Sequence, residues 1–237
     1  MSAASGMKIE VMDTAGSVAQ KAAAIIAEEA RLAVDAHGRF VFAVSGGHTP
    51  WLMLRELANA DVPWPAVHIV QVDERVAPAG DPDRNLTHLR ESLLDHAPLS
   101  AAQVHPMPVE SADLENAAAE YAAILQQISG SPPVLDLVHL GLGPDGHTAS
   151  LVPGDPVLDV ENAEVAVTRV YQGRRRMTLT YPVINRSRRV LWVVTGEDKT
   201  PALSRLLAGD ATIPAGRVRR EHALLIADKA ATAKLAA

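Results

Sequence analysis

The sequence predicts an α/β fold: a mostly parallel sheet flanked by helices, with a small antiparallel β excursion after residue 160. Three observations predict it. Apolar runs of strand length alternate with segments of helical periodicity along the 237 residues, the pattern of βαβ units. Hydrophobic residues make up 48% of the chain and aromatics only 3%, so Ala, Val, Leu and Ile must build a core large enough for a covered sheet. Glycine-rich or charged clusters follow several of the apolar runs, where open parallel sheets hold ligands.

The elements follow in order. Residues 1–7 read as a flexible N-terminal tail, and residues 8–237 as a single domain. Residues 8–12 are an edge strand. A helix spans 17–36, with Val18, Ala22, Ile25 and Leu32 on its buried face at helical spacing; His37-Gly38 ends it. Residues 40–44 are a buried strand, and 50–57 open the next helix. Residues 68–72 are a strand, and the Pro- and Gly-rich stretch 77–83 is a loop. Helices are expected at 86–94 and 112–128, then a strand at 135–140 and a loop at 153–159. Strands at 165–170, 177–181 and 190–195 come without helices between them, which suggests the antiparallel excursion. A helix at 200–207 and a strand at 223–227 complete a Rossmann-like arrangement.

Composition excludes several classes. A formal net charge of −6 argues against nucleic acid as a partner. The chain has no cysteine, which removes disulfides, thiolate catalysis and Cys-ligated metal, and fits a reducing cytoplasm. No apolar run reaches the roughly 18–20 residues of a membrane helix, so no membrane partner is expected. His37, His68, His88, His96, His105, His139 and His222 show no metal-ligand spacing, so no metal is expected. His139 alternates with apolar neighbours and reads as a core residue.

Four strand ends carry candidate chemistry. Ser45-Gly46-Gly47-His48-Thr49-Pro50 joins a strand to a helix. Paired glycines there let successive N–H groups point into one space ahead of a helix N-terminus, which makes an anion cradle. It is not a Walker loop, since no Gly-Lys-Ser/Thr follows, and Ala43 stands where a nucleophile elbow needs glycine. Asp73-Glu74-Arg75 ends the next strand and offers a fork of donors in Arg75. Gly141-Leu142-Gly143-Pro144-Asp145-Gly146-His147 follows the strand at 135–140. Its glycines also spell G-x-G-x-x-G, but Pro153-Gly154 stops any long helix, so a dinucleotide site is not supported. His147 has the side chain suited to proton transfer near neutral pH. Lys199 sits at a fourth strand end. Among the Arg clusters, Arg176 leads directly into a strand and is the one to watch. The strand C-termini of a parallel sheet share one edge, so these groups converge on one small phosphorylated ligand.

On these residues, with Arg84-Asn85, Thr148-Ala149-Ser150-Leu151 and Met177-Thr178-Leu179-Thr180, the chain resembles the 6-phosphogluconolactonases over residues ~8–230. The resemblance implies hydrolysis of 6-phospho-D-glucono-1,5-lactone to 6-phosphogluconate, in the oxidative pentose phosphate pathway, without cofactor. It implies His147 as general base and Asp145 as its orienting partner. Ser45, Gly46, Gly47, Thr49, Asp73, Arg75, Arg176 and Lys199 are the substrate-binding candidates. The expected protein is cytoplasmic, a monomer or weak homodimer, with a sugar phosphate lactone as its partner. Glucosamine-6-phosphate deaminase shares the Asp-Gly-His element, but that family has Tyr where this chain has Arg75, and Glu where it has Val152. His48, Arg84 and Val152 depart from the usual lactonase pattern. The alternatives are a deaminase/isomerase-like sugar-phosphate enzyme, a non-catalytic sugar-phosphate sensor and a nicotinamide-dependent oxidoreductase.

Overall fold

Alternation along the strands sets up a sheet covered on both faces, because successive side chains point to opposite sides. The computed structural model describes residues 6–233 and 235. Strand β1 is Lys8–Met12, β2 is Phe40–Val44, β3 is Val67–Gln71, β5 is Val104–His105, β6 is Leu137–Leu140, β9 is Arg189–Val194 and β10 is Ala223–Asp228. Among the described residues these seven form one parallel sheet in the order β1-β10-β9-β6-β2-β3-β5. Phe40, Phe42 and Val44 enter one apolar cluster and Val41 and Ala43 the other.

Helices α1 (Ala15–His37) and α2 (His48–Ala58) cover the Phe40 face; α4 (Leu114–Ser129), α5 (Tyr181–Arg186) and α6 (Thr200–Ala208) cover the other. Local signals set their ends. Thr14 and Ser17 close a capping box at the start of α1, and Gly38 ends it with φ +79°, the left-handed conformation that glycine tolerates. Asp113 caps α4 through the Asn116 N–H at 3.0 Å. A short helix, α3 (Asn85–Leu89), continues into a wider π turn at Arg90–Leu94, and α7 (Lys229–Thr232) follows the last strand.

A second sheet is small and antiparallel. Its strands are β4 (Asp73–Arg75), β8 (Arg176–Leu179) and β7 (Val165–Val167), in the order β4-β8-β7. The excursion expected after residue 160 is therefore present, but its membership differs. The segment expected at 190–195 lies in the main sheet, beside β6 and β10. Its place in the small sheet is taken by β4, which continues from β3 after the single residue Val72.

Two further expectations are corrected. Leu32 is 57% exposed, and Ile25 only partly buried; the buried stripe of α1 runs through Val18, Ala22, Ala23 and Ile26, one step round the helix. Of the tail expected at 1–7, residues 1–5 lie outside the described residues, while Met7 is buried in the core. No helix among the described residues is long and apolar enough to cross a membrane.

Candidate active site

Strand order opens the site. From β2 the chain builds outward through β3 to β5; from β6 it builds the other way through β9 to β10. The topological switch point lies between β2 and β6, where crevices form beyond the strand C-termini. The two strands pair only through Phe42↔Leu137 and Ala43↔Val138 and then separate. Beyond their ends lies a cleft of about 430 Å³. Ser45, Gly46, Gly47 and Thr49 line it from the turn after β2, Asp73 and Arg75 from β4, His147 from the loop after β6, Arg176 from β8 and Lys199 from the turn before α6. The structure thus brings together every site residue expected from the sequence except Asp145, which stands against His147 instead of lining the cleft.

The loop after β6 folds on itself. The Gly143 N–H donates to the His147 carbonyl at 2.8 Å, and the Gly146 N–H to the Gly143 carbonyl at 3.0 Å. A Cβ on Gly143 would strike the His147 ring, so glycine is needed there for the imidazole to pack against the backbone. Asp145 Oδ1 meets His147 Nδ1 at 2.6 Å and accepts the His147 backbone N–H at 3.1 Å. With Nδ1 given to the carboxylate, Nε2 carries the lone pair that is free for chemistry. Partial burial opposes ionisation of Asp145. Its bonds from the His147 N–H, the imidazole and the Tyr171 hydroxyl outweigh that and hold the carboxyl below the usual range.

The turn after β2 is built for a different task. Gly47 precedes α2 and supplies no side-chain cap, so the first N–H groups of the helix, which lack intrahelical acceptors, open on the cleft. His139, fully buried beneath this turn, accepts the Ser45 N–H on Nδ1 at 3.3 Å. Burial pushes its pKa down to about 3, so the ring is neutral. The expected core histidine is thus a core residue that also anchors the turn. The Thr49 and Thr195 hydroxyls meet at 2.5 Å across the cleft floor.

Cations close the other side. Arg75 donates to Asn85 Oδ1 at 2.7 Å and to the Asp83 carbonyl at 2.9 Å. Arg176 is 5% exposed; it donates to Gln172 Oε1 at 3.0 Å, and its buried Nε has no partner among the described residues. Burial lowers the Arg176 pKa, with Asp73 opposing, yet a guanidinium stays charged. Burial raises the Asp73 carboxyl, against a 2.6 Å hydrogen bond from Ser150 and the fields of Arg75 and Arg176. Lys199 pairs with Asp198 at 2.9 Å on the rim. Among the described residues no cluster of three His, Asp or Glu side chains is arranged to hold a metal ion.

Sequence reasoning placed Glu74 only within a charged strand end. It is fully buried. Its carboxylate accepts the N–H groups of Arg75, Asn85 and Leu86, each at 2.8 Å, and pairs with Arg84 at 3.2 Å. It thereby welds the start of α3 to β4. Asn85 then reaches Arg75 and, through Nδ2, the Asp73 carbonyl at 2.9 Å. A Cβ on Gly46 would strike the Asn85 carboxamide, so the cradle and the cation wall interlock. Tyr171 was missed altogether, since a single Tyr before an Arg run gives no periodic or spacing signal.

Known proteins match this chain in sequence and fold. Residues 13–227 match the family described as glucosamine-6-phosphate isomerases/6-phosphogluconolactonase. A 6-phosphogluconolactonase of Synechocystis is 35% identical over 208 residues, covering 86% of each chain. A 6-phosphogluconolactonase of Mycobacterium tuberculosis is 37% identical over 217 residues, covering 86% of this chain and 88% of the relative. The solved 6-phosphogluconolactonase from Trypanosoma cruzi superposes with a TM-score of 0.86 at 25% identity, over 98% of this chain and 97% of that one. A chain matched across this span, with the Asp145–His147 pair at the switch point of the same fold, belongs to the glucosamine-6-phosphate isomerase/6-phosphogluconolactonase family.

Proposed function

We propose that this chain is a lactonase that hydrolyses 6-phospho-D-glucono-1,5-lactone to 6-phospho-D-gluconate. One observation carries the reading: His147, held by Asp145, faces the same cleft as a helix N-terminus and the cations Arg75, Arg176 and Lys199. Relatives of the chain bear the lactonase name. A proton-transfer group at one end and an anion site at the other suit a sugar ring with a phosphate at its far carbon.

A lactone carbonyl is already electrophilic, so an activated water suffices. His147 Nε2 takes a proton as the water oxygen bonds to C1. The carbonyl π electrons move onto the carbonyl oxygen, where backbone N–H groups of the cleft stabilise the charge. As the carbonyl re-forms, the bond from C1 to the ring oxygen breaks, and His147 returns its proton to that oxygen. Asp145 holds the imidazole in the tautomer that this needs and stabilises the imidazolium that forms. Gly46, Gly47, Thr49, Arg75, Lys199 and Arg176 hold the phosphate, and Ser45 and Asp73 complete the binding wall.

The deaminase reading is disfavoured by two positions. Arg75 stands where the resemblance puts Tyr in that family, and Val152, where it puts Glu, is an apolar side chain 3% exposed with no acid–base capacity. Within the proposal, residues 8–237 act as one lactonase domain in the cytoplasm, as a monomer or weak homodimer, without nucleic-acid or membrane partners. The test is hydrolysis of freshly generated phosphogluconolactone against an enzyme-free blank, since the lactone also opens spontaneously. A rate no higher than the blank, with the ligand still bound, would favour the sensor.

A further inference from the structure

Tyr171 stands on the hairpin between β7 and β8, outside every motif that marks the site. Its turn is tight: Gln172 and Gly173 have φ of +51° and +81°, and Tyr171 and Arg174 exchange backbone bonds of 2.9 and 3.3 Å. Positive φ at both central residues is the geometry of two-residue hairpins. This fixes where the Tyr171 ring goes. Its hydroxyl donates to Asp145 Oδ2 at 2.9 Å, the oxygen that His147 leaves unused. Its ring meets the His147 imidazole edge to face at 5.8 Å between centroids. The Arg176 guanidinium lies over the ring, 5.0 Å from its centroid.

We propose, resting on the lactonase reading above, that Tyr171 is a positioning residue that clamps the Asp145–His147 pair from behind and seats Arg176 beside it. The two jobs use different parts of the side chain. The hydroxyl restrains the carboxylate, so that Asp145 cannot swing away and release the imidazole. The ring face supports a guanidinium that has, among the described residues, only Gln172 as a side-chain hydrogen-bond partner. Cation–π attraction to the ring face holds such a group. Burial and the Asp145 carboxylate both hold the phenol protonated, pushing its pKa above the usual value. It therefore acts as a donor at any pH the enzyme meets. Through this one side chain, the order of the base and the order of the anion site are linked.

The chemistry separates these jobs by substitution. Tyr171→Phe removes only the hydroxyl. It is expected to lower kcat about tenfold, the worth of one hydrogen bond to a charged acceptor, with KM within twofold. Tyr171→Ala removes the ring as well and is expected to raise KM about tenfold further, through loss of the face beneath Arg176. The decisive arm is a double-mutant cycle. If the hydroxyl acts through Asp145, Tyr171→Phe costs nothing more in an Asp145→Ala background, which leaves the hydroxyl no carboxylate to hold. Thermal melting of each variant separates loss of fold from loss of function. A Tyr171→Phe variant with the wild-type kcat overturns the proposal, as does one whose loss persists undiminished beside Asp145→Ala. A wild-type chain with no activity above the blank refutes the lactonase reading instead, and the two failures cannot be confused.

Discussion

The turns after β2 and β6 leave neighbouring strands at the same sheet edge, and both are rich in glycine. Yet they do different work. After β2 a helix begins at once, and the backbone spends its free N–H groups on the cleft. After β6 no helix follows; the loop consumes its own N–H groups, as in the Gly143-to-His147 bond, and presents a side chain. A glycine-rich strand end is thus a binding device when a helix stands behind it and a frame for a reactive group when none does. Glycine serves close approach in both, but to different neighbours: Asn85 of the cation wall at Gly46, and the imidazole at Gly143.

That contrast can be broken experimentally. The largest effect is expected at His147. Replacement by Ala should lower kcat by roughly 10²–10⁴, the usual worth of a positioned acid–base group, with melting unchanged because the side chain is partly solvent-facing. A folded variant with near wild-type kcat removes His147 as the base. Next come the two glycines. Gly143→Ala should push the imidazole aside and lower kcat about 10–100-fold, since displacement of about 1 Å costs that much. Gly46→Ala should displace Asn85 and loosen Arg75, and appear mainly in KM. If both substitutions act on the same kinetic constant, the division of labour between the turns is wrong.

Arg75→Ala and Lys199→Ala should each reduce kcat/KM for the phosphorylated lactone by about 10–100-fold, the range for a charge-assisted hydrogen bond. Unphosphorylated gluconolactone should be hydrolysed nearly as before. Equal losses on both substrates remove the phosphate role.

A smaller effect concerns pH. His68 and His105 stack with Nδ1 and Nε2 3.1 Å apart. Burial lowers both pKa values, with Arg39 adding to the first and His68 to the second. The folded state therefore prefers them neutral, as it does His139. Their contribution is complete above the unfolded value near ~6.5 and is lost as pH falls below it towards the folded values. The melting temperature should drop between pH 7 and pH 5, less steeply in a His68→Gln variant. A flat melting profile would falsify the assignment. The smallest effect is none at all: exhaustive chelation should leave the rate unchanged, because an activated ester does not need Lewis-acid assistance. Loss of activity on chelation, restored by one ion, would replace the simple general-base mechanism.

How much of this was legible in the chain depended on range. The buried strands and the turns after them were readable, because apolar runs and glycines act locally. The end of α1 was readable because Gly38 caps it, whereas the start of α4, expected at 112, lies at Leu114 because Asp113 is its cap. The small sheet was misread in one member, because Asp73-Glu74-Arg75 is short and charged and becomes a strand only by pairing with β8. Leu32 was misplaced by one step round α1, a helix with alanine on much of its surface and so a weak stripe. The cleft residues were found because four strand ends must share an edge. Asn85 was visible only as part of a family resemblance, and Tyr171 not at all. Their roles arise from contacts 12 and 26 residues away in sequence, which no local pattern encodes.

His139 has a consequence for how the cleft tolerates change. Its Nδ1 receives the Ser45 N–H, so the ring serves the backbone as an uncharged lone pair delivered at a set depth, with the proton carried on Nε2. Protonation would turn that acceptor into a second donor facing Ser45. With the pKa near 3, ordinary acidity never reaches it. The turn after β2 is thus insulated from pH on the side that rests on His139. The same logic sets what can replace the residue. An aliphatic side chain would leave the N–H buried and unmatched. A carboxylate would accept the bond, but would set an anion beneath the very turn that is shaped to attract one.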